Sequence, residues 1–244
     1  MHVLLTGMNG TVAPVVAKTL RHHGHSVTAY DRSEISTEDE SVIRTFLKES
    51  NADLLMHFAL GSNDWTRKLA RLSRELAIKY VYISSVSVFS TDQPAPFTKT
   101  MTPHPDDDYG IYKHEGEIIS QTMNEDTYIA RLSWQIAHDI HSNNMVAQLH
   151  AQMSEKGFIE ASEAFYPSAA FIEDTAEALM QMLEHSPGIY HLNANKSLSF
   201  HDIALELATH YPSFKVVKTQ KPAIDVRMSD DTITMPALKD ALND

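Results

Sequence analysis

The chain has 244 residues, enough for one large buried core with an appendage or for two small ones. Its formal net charge of -12 opposes phosphate backbones and anionic bilayers, so neither nucleic acid nor a membrane is expected as a partner. Cysteine is absent, which excludes disulfides, thiolate nucleophiles and cysteine-ligated zinc.

Met1 to Thr6 is a short apolar run read as a strand, leaving no room for a signal peptide. The longest apolar run, Leu54 to Leu60, is far short of the roughly 20 residues that span a bilayer, and a cytoplasmic protein is expected. Gly7-Met8-Asn9-Gly10-Thr11-Val12-Ala13 follows the first strand directly. Helical spacing then runs from Val12 to His23, with Pro14 in the first turn, where its missing N–H costs little. His22, His23 and His25 end that helix, Gly24 caps it, and a solvated helix end explains them better than a metal site. Ser26 to Tyr30 reads as a second strand closing at Asp31. A strand, a glycine turn, a helix, a strand and an acid about 20 residues on form a dinucleotide-binding layout. Gly7 permits the tight turn, Gly10 lets backbone approach a pyrophosphate, and the small Ala13 allows close helix–strand packing. Asp31 suits the adenosine ribose hydroxyls and favours NAD, while Arg32 beside it offers a guanidinium to the 2′-phosphate of NADP.

Thr37-Glu38-Asp39-Glu40 is expected to act as a capping box, opening a helix with Val42, Ile43, Phe46 and Leu47 on its apolar face. A strand over Asp53 to Ala59 and a helix over Trp65 to Ala77 come next, then a strand over Tyr80 to Ser84 that ends in paired serines. After a proline-bearing loop, a helix begins near Tyr109. Tyr109 and Lys113 stand four apart and share one face, an arrangement in which an ammonium stabilises a phenolate and lowers the tyrosine pKa. Thr127 to Leu132 adds a strand, and the alternation predicts an α/β fold with a doubly wound parallel sheet. Helices are expected over Asn144 to Lys156 and Thr175 to Glu184. Gly188 to Leu192 is read as a strand, Ser199-Phe200-His201-Asp202 as a capping box, Phe214 to Lys218 as a strand, and Pro236 as the start of a last short helix.

Thr6-Gly7-x-x-Gly10-x-x-Ala13, Asp31, His57-Phe58-Ala59, the Ser84 to Phe89 stretch and Tyr109-x-x-x-Lys113 together resemble the extended short-chain dehydrogenase/reductases, which include NAD-dependent epimerase/dehydratases. Arg131-Leu132-Ser133-Trp134, the short Asp31–Asp53 connection and the late strand at Gly188 look most like dTDP-4-dehydrorhamnose reductases. The resemblance implies a Rossmann part over 1–134 and a small substrate-binding lobe over 135–244, with 170–195 returning to the Rossmann part. It implies NAD or NADP as cofactor, held by Gly7, Asn9, Gly10, Thr11, Val12, Asp31, Arg32, Phe58, Ala59 and Lys113. By the same likeness, Tyr109 exchanges the proton, Ser85 holds the reacting oxygen, and Lys113 holds the nicotinamide ribose. The implied reaction is hydride transfer at a carbonyl or alcohol of a nucleotide-linked sugar, by a homodimer paired through the helices near Trp65 and Tyr109. In the substrate lobe, Asn143 and Asn144 either bind a diphosphate or cap a helix. Arg227 either clamps a diphosphate or makes a surface ion pair, and Trp134 and Phe165 either stack on a base or pack internally.

Three departures stand out. The asparagine that relatives carry after His57-Phe58-Ala59 has no clear match, the segment from Ala59 to Trp65 is short, and Val86 stands where rhamnose reductases tend to carry an acid. They motivate a rival reading, a catalytically silent dinucleotide-binding subunit with a regulatory or scaffolding role. A redox-sensing binder is a third.

Overall fold

The computed structural model describes residues 1–242. In chain order the elements are β1 (His2–Thr6), α1 (Ala13–His22), β2 (Ser26–Ala29), α2 (Glu40–Ser50), β3 (Leu54–His57), α3 (Asn63–Glu75), β4 (Lys79–Ser85), β5 (Phe97–Thr98), α4 (Asp108–Met123) and β6 (Thr127–Leu132). There follow β7 (Trp134–Ile136), α5 (Met145–Lys156), β8 (Ile159–Ser162), β9 (Phe165–Tyr166), β10 (Ala169–Phe171), α6 (Ile172–Met182) and β11 (Gly188–Leu192). The chain closes with α7 (Phe200–His210), β12 (Val216–Thr219), β13 (Ile224–Asp225), β14 (Met228–Ser229) and α8 (Leu238–Ala241).

A six-stranded, all-parallel sheet in the order β2-β1-β3-β4-β6-β11 forms the centre. Alternate side chains leave a strand on opposite faces, and here both faces are covered. Val3 and Leu5 join Val16, Leu20, Val81 and Leu179 under α1 and α6. Leu4 joins Leu47, Leu55, Trp65 and Leu69 under α2 and α3. A separate cluster of Leu149, Ile159, Ile203 and Leu207 packs α5, β8 and α7 together. Because the strands are parallel, Gly7, Phe58, Ser85 and Ser133 all emerge at one edge of the sheet. The order reverses between β1 and β3, the position where open α/β sheets leave a crevice.

The caps explain most of the boundaries. Asn144 caps α5 by accepting the Ala147 N–H at 3.1 Å, and Ser199 with Asp202 forms the expected capping box on α7. The box expected at Thr37 does not form. Ser36 Oγ accepts the N–H groups of Glu38 and Asp39 and turns the chain first, so Asp39 becomes the cap of α2 and accepts from Ser41 and Val42. Helix α3 starts two residues before Trp65, since Ser62 accepts the Trp65 N–H at 3.1 Å. Pro236 lies just outside α8, whose cap is Ala237.

Helix α4 is the element that places the site, and its approach to the sheet is unusually close. Its buried residues are Gly110, Lys113, Gly116, Glu117 and Ser120, with no leucine among them. A Cβ on Gly110 would fall 2.0 Å from the Ser87 carbonyl oxygen, and one on Gly116 would fall 2.0 Å from the Tyr82 hydroxyl. Glycine to alanine inside a helix ordinarily gains about 1 kcal/mol. At Gly110 the obstacle is backbone, so the sign reverses. Gly110→Ala is expected to destabilise by about 2 kcal/mol or more, read as a lower midpoint in urea unfolding.

Candidate functional site

The glycine turn follows β1. Gly7 adopts φ +80°, and a Cβ there would lie 2.9 Å from the Ala59 backbone nitrogen. The Gly10 N–H donates to the Gly7 carbonyl at 2.8 Å and closes the turn. Helix α1 then begins with no side-chain cap, leaving its first amides without a side-chain acceptor. A close-packed backbone turn opening onto uncapped amides fits a dinucleotide pyrophosphate.

Behind the turn, Thr6 and His57 brace two strand ends. Thr6 Oγ1 accepts the Ala59 N–H at 2.9 Å and is hydrogen-bonded to His57 Nδ1, also at 2.9 Å. His57 Nε2 is hydrogen-bonded to Thr66 Oγ1 at 3.2 Å, so both ring nitrogens have a hydroxyl partner. Burial pushes His57 down to about 3, with the Lys113 charge adding to the effect, so the ring is neutral.

On the other side of the crevice, Ser85 ends β4 and caps the short turn Val86–Val88, accepting the Ser87 N–H at 3.2 Å. Lys113 is 3% exposed, and its Nζ donates to the Ile83 carbonyl at 2.8 Å. The ammonium also lies 5.3 Å from the ring centre of Tyr82, 5.7 Å from Tyr112 and 5.9 Å from Tyr109. Burial brings Lys113 down to about 8, and the Glu117 carboxylate opposes that shift. Tyr109 is 46% exposed at the mouth of the site. Its phenol is raised, the reverse of the lowering expected from Lys113. Burial dominates, and a hydrogen bond from Ser85 offsets it only in part.

A buried ion pair that the sequence reading missed stands one turn beyond Lys113. Glu117 receives the Arg131 Nε at 2.8 Å and its Nη2 at 2.7 Å, and also accepts the Ser84 hydroxyl at 2.6 Å. Arg131 Nη1 donates to His191 Nε2 at 3.2 Å, and His191 Nδ1 donates to the Phe97 carbonyl at 3.2 Å. Burial and the Arg131 charge bring His191 down to about 4. The spacing offered one signal: Glu117 is four residues after Lys113 and so shares the face of Tyr109 and Lys113.

One cavity of about 340 Å³ brings together Gly7, Gly10, Thr11, Val12, Phe58, Ser85, Tyr109, Lys113 and Asn143. Trp134 lines it as well, as do Ser84 and Ser133, which the sequence offered only within motifs, and Gln135 and Gln148, to which it gave no role. Asn9, Asp31, Arg32, Ala59, Asn144 and Arg227 are not in its wall. Ala59 supports the turn from behind. Asp31 accepts the Ser33 N–H at 2.9 Å and hydroxyl at 2.7 Å, which hold its carboxyl below the usual range. Arg32 donates to the Leu60 carbonyl at 2.9 Å. Asn143 instead meets the glycine turn, its N–H donating to Thr11 Oγ1 at 3.1 Å.

The structure draws the two remaining substrate candidates away from the cavity. Asn144 is fully buried, with its amide spent on the α5 cap and on the Asp139 carbonyl and Ser142 hydroxyl. Arg227 pairs with Asp225 at 2.5 Å, bonds the Lys196 carbonyl, and lines a different cavity with Asn193 and Asp230. Phe165 packs against Phe200. Among the described residues, no group of three His, Asp or Glu could hold a metal, and no helix is long and apolar enough to cross a membrane.

Residues 61–230 match the RmlD substrate binding domain family. The chain belongs to that family. It is 24% identical over 218 residues to the spore coat polysaccharide biosynthesis protein SpsK of Bacillus subtilis, covering 83% of this chain and 76% of that one. It is 22% identical to the dTDP-4-dehydrorhamnose reductase of Aggregatibacter actinomycetemcomitans, covering 88% and 81%. Methionine adenosyltransferase 2 subunit beta of Xenopus laevis is 23% identical, covering 84% and 70%. Among solved structures, the dTDP-4-dehydrorhamnose reductase from Bacillus anthracis in complex with NADP superposes with a TM-score of 0.84 at 20% identity, covering 99% of this chain and 96% of that one. The fold is that of the extended short-chain dehydrogenase/reductases.

His57 and His191 are neutral in the fold, whereas the unfolded chain protonates them near 6.5. Their contribution to stability is therefore complete above pH 6.5 and is lost as pH falls toward 4 and then 3. His57→Asn is expected to make the fall shallower by about 1.4 kcal/mol per pH unit between pH ~6 and ~4, measured by urea unfolding across that range.

Proposed function

We propose that the chain is an NAD(P)-linked reductase acting on a carbonyl of a nucleotide-linked sugar. The supporting observation is that one cavity holds both the glycine turn and Ser85, Tyr109 and Lys113. When bound, the nicotinamide supplies a hydride to the carbonyl carbon. Everything else falls to the chain's own groups. Ser85 donates a hydrogen bond to the carbonyl oxygen and steadies the charge that develops there. Tyr109 gives that oxygen its proton. A phenol raised by burial is protonated at neutral pH, the state that reduction requires. The Lys113 ammonium, four residues on, holds the nicotinamide ribose hydroxyls and orients the ring beside Tyr109. Trp134 and Gln135 form the wall against which the sugar sits.

NAD is the favoured cofactor in this reading. Asp31 is held ionised and would repel a 2′-phosphate, and Arg32 is committed to the Leu60 carbonyl and to the face of Trp65, 5.9 Å away. Two chains pairing through α3 and α4 would cover Ile111 and Ile118, which α4 exposes. Light scattering at twice the 27.4 kDa chain mass is the expected result.

A second reading is a dinucleotide-binding subunit without turnover, favoured by the similarity to methionine adenosyltransferase 2 subunit beta. Calorimetric titration with NADH and NADPH, followed by assay of Tyr109→Phe on nucleotide-linked keto sugars, separates the two. The reductase reading expects tighter NADH binding, unchanged by the substitution, and turnover reduced at least about 100-fold. Cofactor binding with no turnover in the unaltered protein would transfer the case to the regulatory subunit.

A further inference from the structure

Lys113 is a buried cation whose nearest polar partner is a neutral carbonyl, so the fold must supply both its position and its charge by other means. From α4 itself it faces the Tyr109 and Tyr112 rings, with Glu117 one turn on; from β4 it faces Tyr82; from β3 comes His57, which is neutral. Glu117 is the one carboxylate in that set. It makes no direct ion pair with Lys113 and is clamped instead from two strands, by the Ser84 hydroxyl of β4 and by two nitrogens of Arg131 on β6. Arg131 is itself fixed by His191 on β11 and lies 4.9 Å from the ring centre of Phe89. The clamp crosses three adjacent strands and ends on the helix that carries Tyr109 and Lys113. It is 2% exposed at Glu117 and 1% at Arg131.

We propose that Glu117 is a positioning residue for the site: locked by Ser84 and Arg131, it sets the rotation of α4 against β4 and supplies the buried negative charge that keeps Lys113 an ammonium. The proposal rests on the reductase reading for its consequence, the holding of nicotinamide ribose, but not for its physics. A buried amine loses its proton more readily than a solvated one, and a fixed carboxylate one turn away counters that loss. Arg131 pairs with both carboxylate oxygens and so weakens this field, but Glu117 still pulls Lys113 upward against its burial. A pair serving stability alone would be replaceable by apolar residues of similar volume.

The test reads Lys113 directly. Lysine side-chain NMR, with the signal assigned by Lys113→Arg, should show a midpoint near 8 in the unaltered protein. Glu117→Gln keeps an acceptor for Ser84 and Arg131 but removes the charge, and should move that midpoint lower by about one unit. Should that variant fail to fold, Glu117→Leu with Arg131→Met leaves neither charge unpaired and is read in its place. NADH affinity is then measured against pH. In the unaltered protein it should fall as pH rises through about 8, where the ammonium is lost, and in the variant it should fall at lower pH. An unchanged lysine midpoint in the folded variant overturns the proposal, whatever the cofactor affinity. A shifted midpoint in a protein that binds neither NADH nor NADPH upholds the role of Glu117 and overturns the reductase reading alone.

Discussion

Helix α4 meets the sheet through glycine and buried charge instead of through leucine, and the candidate site depends on that contact. Gly110 and Gly116 let its backbone come within a methyl group's width of the Ser87 carbonyl and the Tyr82 hydroxyl. Apolar area contributes little on this face, so the attachment is polar: Glu117 to Arg131 and Ser84, and Lys113 to the Ile83 carbonyl. Such pairs are poor sources of net stability, because each ion loses its hydration on burial, yet losing one partner costs about 3–5 kcal/mol. The arrangement therefore penalises displacement of the helix more than it rewards the fold. That is the behaviour expected where a tyrosine and a lysine must be held in register with a serine on a neighbouring strand.

A second constraint works at the other wall. Thr6, His57 and Thr66 form a chain of hydrogen bonds from β1 through β3 to α3, and the same threonine hydroxyl holds the Ala59 amide against Gly7. The turn and the end of β3 are thereby packed as one unit, with no room for a Cβ between them. Both walls use neutralised or paired polar groups in the interior, His57 and His191 as uncharged rings and Glu117 and Arg131 as a pair. Apolar layers on the two faces of the sheet carry the bulk of the burial. The polar braces are concentrated at the edge where the strands end.

Local patterning made much of this legible in the sequence. The glycine turn, the strand–helix alternation, the caps at Asn144 and Ser199 and the Tyr109–Lys113 spacing are all set by residues within a few positions of one another. Boundaries failed where neighbouring polar residues took over the capping: Ser36 accepts the Glu38 and Asp39 amides and Asp39 accepts those of Ser41 and Val42, which leaves Thr37 out of the cap. The sign of the Tyr109 shift was missed because spacing along a helix brings a charge near but says nothing about how much water the phenol loses.

What the sequence determined by itself is the order of elements and the set of chemical groups at the strand ends, since those follow from periodicity and from turn and cap chemistry. Tertiary structure alone decided which distant residues meet. Glu117 finds Arg131, and Arg131 finds His191, because β4, β6 and β11 are neighbours in the sheet; Arg227 is drawn to Asp225 and away from the cavity; Asn143 reaches Thr11 across more than half the chain. Those pairings depend on strand order and helix approach, which no short-range pattern encodes, and they decide which polar groups are paired and which remain for a ligand.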